Sequence, residues 1–178
     1  VSKALKIPGV KAIITGQDVP SRKYGAVPFA GDENALCIDK ARYVGDEVAA
    51  IAATDLYAAE EALELITVEY EPLTPVFDPL EAIKPGAPLI HDNVENNISA
   101  KYIKQYGDLE AGFADVYHIR EDSFYTQRQA HAPMETHAAI ASYDPSGKLT
   151  LWACKQAPFA MRRTLAVALA MDESRIRF

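Results

Sequence analysis

KARYVGDEVAAIAATDLYAAEEALELITVEYEPLTPVFDP, residues 40–79, changes its period twice, and those changes decide the fold. VAAIAA at 48–53 is apolar at every position, which suits a strand covered on both faces and predicts a central place in a sheet. Asp55 is placed to cap a helix in which Leu56, Ala59, Leu63 and Ile66 share one face while Glu60, Glu61 and Glu64 turn to water. At 67–70 the pattern alternates, Val68 and Tyr70 against Thr67 and Glu69, until Pro72 stops it. Strand, helix and strand in that order predict an α+β domain.

Upstream, VKAIIT at 10–15 reads as a strand closed by Gly16 and the Asp18-Val19-Pro20 turn signal. Residues 21–34 carry neither period and read as a long loop, followed by the apolar run ALCI at 35–38. Downstream, Pro72, Pro75, Pro79, Pro85 and Pro88 disfavour long helices and central strands, so this stretch, continued by HDNVENN at 91–97, reads as a wrapping connector. We place a first domain at 1–92, the connector proper at 93–106 and a second unit at 107–178. In that unit LEAGFADV at 109–116 predicts a short helix, 117–126 a β-like run and 134–143 an extended stretch. Asp144-Pro145-Ser146-Gly147 is a hairpin turn into 148–153. Pro158 opens a helix with Met161, Leu165, Ala168 and Leu169 as its apolar stripe, and 172–178 reads as a turn and a strand.

The chain has 178 residues, 49% hydrophobic and 24% charged, which is the balance of a globular protein. A compact chain of this length buries roughly 70% of its unfolded surface, so a core is expected without staples. With 18 Lys and Arg against 25 Asp and Glu, the formal charge is -7, and nucleic acid is not an expected partner. No long apolar run of a membrane span occurs. Cys37 and Cys154 stand far apart without a Cys-x-x-Cys pair, so neither a disulfide nor a cysteine-ligated cluster is expected, and a reducing, cytoplasmic setting fits best.

Few residues stand out as carriers of chemistry. His131, Glu135 and His137 in HAPMETH would share one face of an extended strand, so a two-histidine, one-carboxylate metal site is conceivable, although packing or hydrogen bonding is the plainer reading. Gly45-Asp46 reads as a turn rather than as a catalytic carboxylate. Glycine-rich phosphate loops and nucleophile elbows are absent. Gln156 sits between a strand and the helix that Pro158 opens, where a side chain projects from the end of a sheet, and its amide both donates and accepts. From spacing alone, loop stabilisation is the plainer role.

Residues 40–79, with IPGVKAIITGQDVP at 7–20 as their lead-in, resemble the α/β-hammerhead domain of the large subunit of xanthine dehydrogenases and aldehyde oxidases. GDLEAGFADV at 107–116 and QRQAHAPMETHAAIASYDPSGKLTLWACKQAPF at 127–159 resemble the beginning of the same family's molybdopterin-binding domain. The resemblance implies oxidative hydroxylation of an electron-poor carbon at a molybdenum centre, with a glutamate as base and electrons leaving through iron–sulfur clusters. It places the residue matching Gln156 beside the metal, hydrogen-bonded to an oxygen ligand, and so favours a cofactor-facing Gln156. Thr136 is similar to the purine-hydroxylase branch and points weakly to an aromatic heterocycle.

The resemblance also implies what this stretch lacks: the first strands of the hammerhead, the glycine-rich segment after Phe178 and the family's catalytic glutamate, a role for which Glu135 is no substitute. The chain is therefore expected to be an inactive piece of a molybdenum hydroxylase, holding no cofactor by itself. Its expected partners are the rest of the large subunit and iron–sulfur and FAD subunits or domains. The cofactor of the whole protein would be molybdopterin, in a plain or dinucleotide form. An exposed apolar face makes a homodimer of the piece an expectation. The competing reading is a non-catalytic binding or assembly module with the same fold.

Overall fold

The computed structural model describes residues 1–25 and 31–178, so part of the loop expected over 21–34 lies outside the described residues. Its ends meet in a bridge between Tyr24 and Glu33. β1 (Val10–Thr15) and β2 (Ala49–Ala53) form an antiparallel ribbon with Ile13 opposite Ile51 and a register shift between Val10 and Ala12. α1 (Leu56–Glu64) packs against β2, β1 and a 3-10 turn at Ala4–Lys6. Asp55 caps α1, its carboxylate accepting from the Ala58 N–H at 3.0 Å.

Two expectations for this unit are corrected. β2 is not central, because 67–70, although extended, joins no sheet among the described residues, and β2 pairs only with β1. The buried face of α1 is Ala58 and Ala62, with Ala59 half-buried, whereas Leu56 and Leu63 are 68% and 54% exposed and Ile66, also half-buried, lies past the end of the helix. Close approach to backbone selects the small residues here. Gly9, at φ +96°, accepts from the Thr54 N–H at 2.9 Å, and a β-carbon there would stand 3.1 Å from that of Ala58. The run at 35–38 forms no strand, yet Leu36 is buried and the Cys37 N–H donates to the Glu47 carbonyl at 2.6 Å.

The proline-rich connector contains one turn of helix, α2 (Pro79–Ala82), capped by Asp78. Asn97 ties its far end back: the side-chain amide donates to the Ala82 and Pro88 carbonyls at 3.0 and 2.9 Å and accepts from the Ile90 N–H at 2.8 Å. Asn96 and Asn97 take positive φ of 52° and 56°, a conformation asparagine tolerates better than most residues.

α3 (Leu109–Ala114), capped by Asp108, opens the last unit. β3 (Ala139–Tyr143) and β4 (Leu149–Ala153) form the expected hairpin. Asp144 closes its turn, accepting from the Lys148 N–H and the Ser146 hydroxyl, with Gly147 at φ +82°. α4 (Pro158–Ala168) then crosses to β5 (Ile176–Arg177), which lies parallel to β4. The core here is Leu149, Ala166 and Ile176, with Leu165 and Met171 packed on it. The helical stripe is thus corrected in part, since Ala166 and Ala168 are its buried members while Met161 and Leu165 are only half-buried. Ala170, at φ 54°, ends the helix as Met171 and Ala170 donate to the Ala166 and Val167 carbonyls, the paired bonds of a Schellman turn. Outside the helix, Arg162 grips Glu173 through two nitrogens at 2.9 and 2.6 Å.

Two further expectations fail. The run at 117–126 joins no sheet among the described residues, and only 139–143 of the stretch at 134–143 becomes a strand. Nor does the chain bury a core of ordinary size. A compact protein of 19.5 kDa exposes roughly 8,500 Å², and this chain exposes 15270 Å², with no large side chain fully buried among the described residues. Phe113, Tyr117, Phe124, Tyr125 and Trp152 all face outward.

Candidate cofactor-facing site

β4 delivers the chain to Cys154 at its carboxyl end, and Pro158 restarts it as α4, so Gln156 stands at a strand-to-helix junction. The Met161 N–H already bonds the Ala157 carbonyl, but Ala157 supplies no side-chain cap to the first turn. The N–H groups of that turn and the positive end of the helix dipole are therefore available to an oxygen-bearing ligand. Gln156 is exposed, and its amide has no hydrogen-bond partner among the described residues. In a parallel strand–helix–strand unit, the carboxyl ends of the strands are where ligands are held. A free amide beside an uncapped helix start suits an anionic, oxygen-rich cofactor.

Beside the junction, Cys154 Sγ donates to Glu135 Oε2 at 3.4 Å. That bond, and then the negative charge of Glu135, push the Cys154 thiol above its ordinary pKa, so the sulfur stays protonated at neutral pH. The metal site conceived for His131, Glu135 and His137 is not formed: no group of three or more His, Cys, Asp or Glu among the described residues is arranged to hold a metal ion. The reason is local. Ala132 takes φ 45° and the backbone bends at Met134 and Glu135, so the three residues do not share a strand face.

A second polar cluster, invisible in the sequence, lies where the connector meets the first unit. Arg42 donates from Nε to the Ile90 carbonyl at 3.1 Å and from Nη1 to the Lys40 carbonyl at 2.9 Å, and Lys40 Nζ donates to the Leu89 carbonyl at 2.8 Å. The Gly45-Asp46 turn forms as expected, with Gly45 at φ +101°, and Asp46 accepts from the Arg42 N–H at 2.9 Å. Cavities of about 330 and 400 Å³ flank this clamp and share Asp32 and His91. Burial, with Asp46 adjacent, pushes the Cys37 thiol up to about 11, and both cysteines are free thiols.

His91 is the titratable wedge of the clamp. Nε2 lies 3.5 Å from Asp32, while Nδ1 is buried without a hydrogen-bond partner among the described residues. Burial lowers its pKa below 6.5, and the Arg42, Lys23 and Lys40 charges add to the effect against the pull of Asp32. Because the folded pKa is the lower one, the unfolded chain binds more protons as the pH drops. The stability tied to neutral His91 is thus full above pH 6.5 and is lost as the pH falls below it. Denaturant midpoints measured between pH 8 and 5 are expected to fall across that window, and His91→Gln should flatten the fall. A wild-type midpoint that does not move would rule this out.

Comparison with known proteins agrees with the α+β fold. The profile of the aldehyde oxidase and xanthine dehydrogenase a/b hammerhead domain matches residues 1–74, and that of the molybdopterin cofactor-binding domain matches residues 90–178. A probable xanthine dehydrogenase subunit of Bacillus subtilis (strain 168) is 38% identical over 98% of this chain, which spans 23% of that protein. The nicotinate dehydrogenase large molybdopterin subunit of Eubacterium barkeri is 34% identical over 99% of the chain, which spans 41% of it. Among solved structures, reconstituted CO dehydrogenase from Oligotropha carboxidovorans superimposes with a TM-score of 0.81 and 33% identity, over 98% of this chain and 24% of that one. The chain therefore spans between 23% and 41% of the length of these relatives. With a hammerhead domain followed by molybdopterin-binding sequence along one α+β chain, the protein belongs to the aldehyde oxidase and xanthine dehydrogenase family.

Proposed function

We propose that this chain is part of the large subunit of a molybdenum hydroxylase, in which it supplies the hammerhead scaffold and one wall of the cofactor pocket. The observation that carries the reading is Gln156, an unpartnered amide at the carboxyl end of β4 beside the uncapped start of α4, within the segment that matches the molybdopterin-binding domain. Gln156 would hold an oxygen of the molybdenum cofactor, and the first-turn N–H groups of α4 would favour the cofactor's negative charge. When bound, the cofactor supplies a metal that lowers the pKa of its water and takes up the electrons released by substrate. The chain's own residues orient that group. The substrate class is an electron-poor carbon of an aromatic heterocycle or an aldehyde, and Thr136 favours the heterocycle.

The exposed surface of 15270 Å² supports the rest of the large subunit as the first partner, since the outward aromatic side chains between 113 and 152 need a cover. Iron–sulfur and FAD subunits or domains complete the electron path, because two distant cysteines cannot hold a cluster. The extension of the first unit to residue 92 is supported by the bonds of Lys40 and Arg42 to the Leu89 and Ile90 carbonyls, and Asn97 ties the start of the connector at 93–106 to that unit, ahead of the second unit at 107–178. Among the described residues no helix is long and apolar enough to cross a membrane.

The test compares the 178-residue chain with the full-length subunit purified from cells that make the cofactor. Molybdenum near one equivalent and hydroxylase turnover are expected only for the full-length protein. Stoichiometric molybdenum in the short chain would overturn the idea of a shared pocket, and a full-length protein without metal or turnover would favour an assembly module.

A further inference from the structure

The loop that carries Gln156 leaves the β3–β4 ladder at its open end, where Ala139 faces Ala153. Beyond that pair, no backbone hydrogen bond joins the two segments among the described residues. One side-chain bond does: Cys154 Sγ to Glu135 Oε2, spanning from four residues before β3 to the first residue after β4. The other end of the loop is fixed by Pro158 and by the Met161 bond to the Ala157 carbonyl. Residues 154–157 are thus anchored at α4 and held at the strand end by Glu135.

We propose that Glu135 is a positioning residue for the Gln156 loop, acting through the Cys154 thiol rather than touching cofactor or substrate. The inference rests on reading Gln156 as cofactor-facing. A thiol is a weak donor and an exposed bond of this kind contributes little in water. Its influence grows as surrounding polypeptide excludes solvent, because a carboxylate acceptor strengthens in low dielectric. Among the described residues Glu135 belongs to no group of three or more metal-ligating side chains, and its side chain bonds Cys154.

The test uses the full-length, cofactor-loaded protein and reads the electron paramagnetic resonance spectrum of the partly reduced molybdenum, which reports the metal's surroundings independently of turnover. Gln156→Ala serves as reference. Cys154→Ala and Glu135→Ala are each expected to shift the spectrum in the direction of that reference, the double variant no further than either alone, and Cys154→Ser, which keeps a donor, to restore it. Wild-type spectra for Cys154→Ala and Glu135→Ala alongside a shifted Gln156→Ala would overturn the positioning role and leave Gln156 at the cofactor. Additive shifts would overturn it as well. A wild-type spectrum for Gln156→Ala would instead remove the reading of Gln156, and the positioning role with it. Metal content near one equivalent in every variant separates these effects from misfolding.

Discussion

Replacing Gln156 with alanine in the full-length subunit is expected to lower hydroxylase turnover by about 10²-fold, the usual cost of removing one aimed hydrogen-bond donor from a reacting centre. The substitution deletes an exposed side chain that makes no hydrogen bond within this chain, so stability should change by no more than about 0.5 kcal/mol. KM should move little, because the amide is argued to face the cofactor rather than the substrate. Gln156→Glu sharpens the point. A carboxylate keeps the length of the side chain but cannot donate, and it adds a negative charge where an anionic group is to be held. It should therefore be at least as damaging as alanine. Steady-state kinetics normalised to bound molybdenum decide the matter, and wild-type turnover in Gln156→Ala would remove the residue from the site.

The fold was legible in the sequence only as far as local chemistry reaches. Asp55 before α1, Asp144 and Gly147 in the hairpin, and Pro158 at the head of α4 act through neighbours two to four residues away, and each does in the fold what its position predicts. Features set by distant chain were not legible. The buried face of α1 is chosen by the approach of Gly9 and the β1–β2 ribbon, which favours Ala58 and Ala62 over the larger Leu56 and Leu63. The runs at 67–70 and 117–126 have strand composition, but pairing needs a neighbour, and none is present among the described residues. The grouping of His131, Glu135 and His137 assumed a regular strand, which the positive φ of Ala132 and the bend at Met134 and Glu135 undo. The Arg42 clamp joins residues 48 positions apart, and Asn97 reaches back 15. No local pattern announces either contact, although the asparagine pair at 96–97 hints at the left-handed turn.

The largest stability effect is expected at another such long-range contact, Gly16→Ala. Gly16 is buried at the end of β1, and a β-carbon there would fall 1.9 Å from the Cys37 carbonyl oxygen and 2.7 Å from the Ile38 α-carbon. Both obstacles are backbone, so no side-chain rotation can relieve the clash. The backbone cannot easily retreat either: the Cys37 N–H is bonded to the Glu47 carbonyl at 2.6 Å, and neighbouring Leu36 is buried. Overpacking of a site that cannot yield costs up to about 3 kcal/mol, and more where chain must move. Gly45→Ala and Gly31→Ala separate sterics from backbone freedom. Gly45, at φ +101° with nothing within 4 Å of a β-carbon, should cost about 1 to 2 kcal/mol from its left-handed backbone. Gly31 has open space and no such φ, and should cost almost nothing. The effect of Gly16→Ala should also travel, because pushing Cys37 outward disturbs the wall of the cavity that Arg42 and His91 share. Loss of the Arg42 bond to Ile90 would release the connector, so limited proteolysis within 82–97 should quicken in Gly16→Ala and remain at the wild-type rate in Gly31→Ala. Equal denaturant midpoints for these two variants would mean that β1 and Cys37 do not meet as closely as this packing requires.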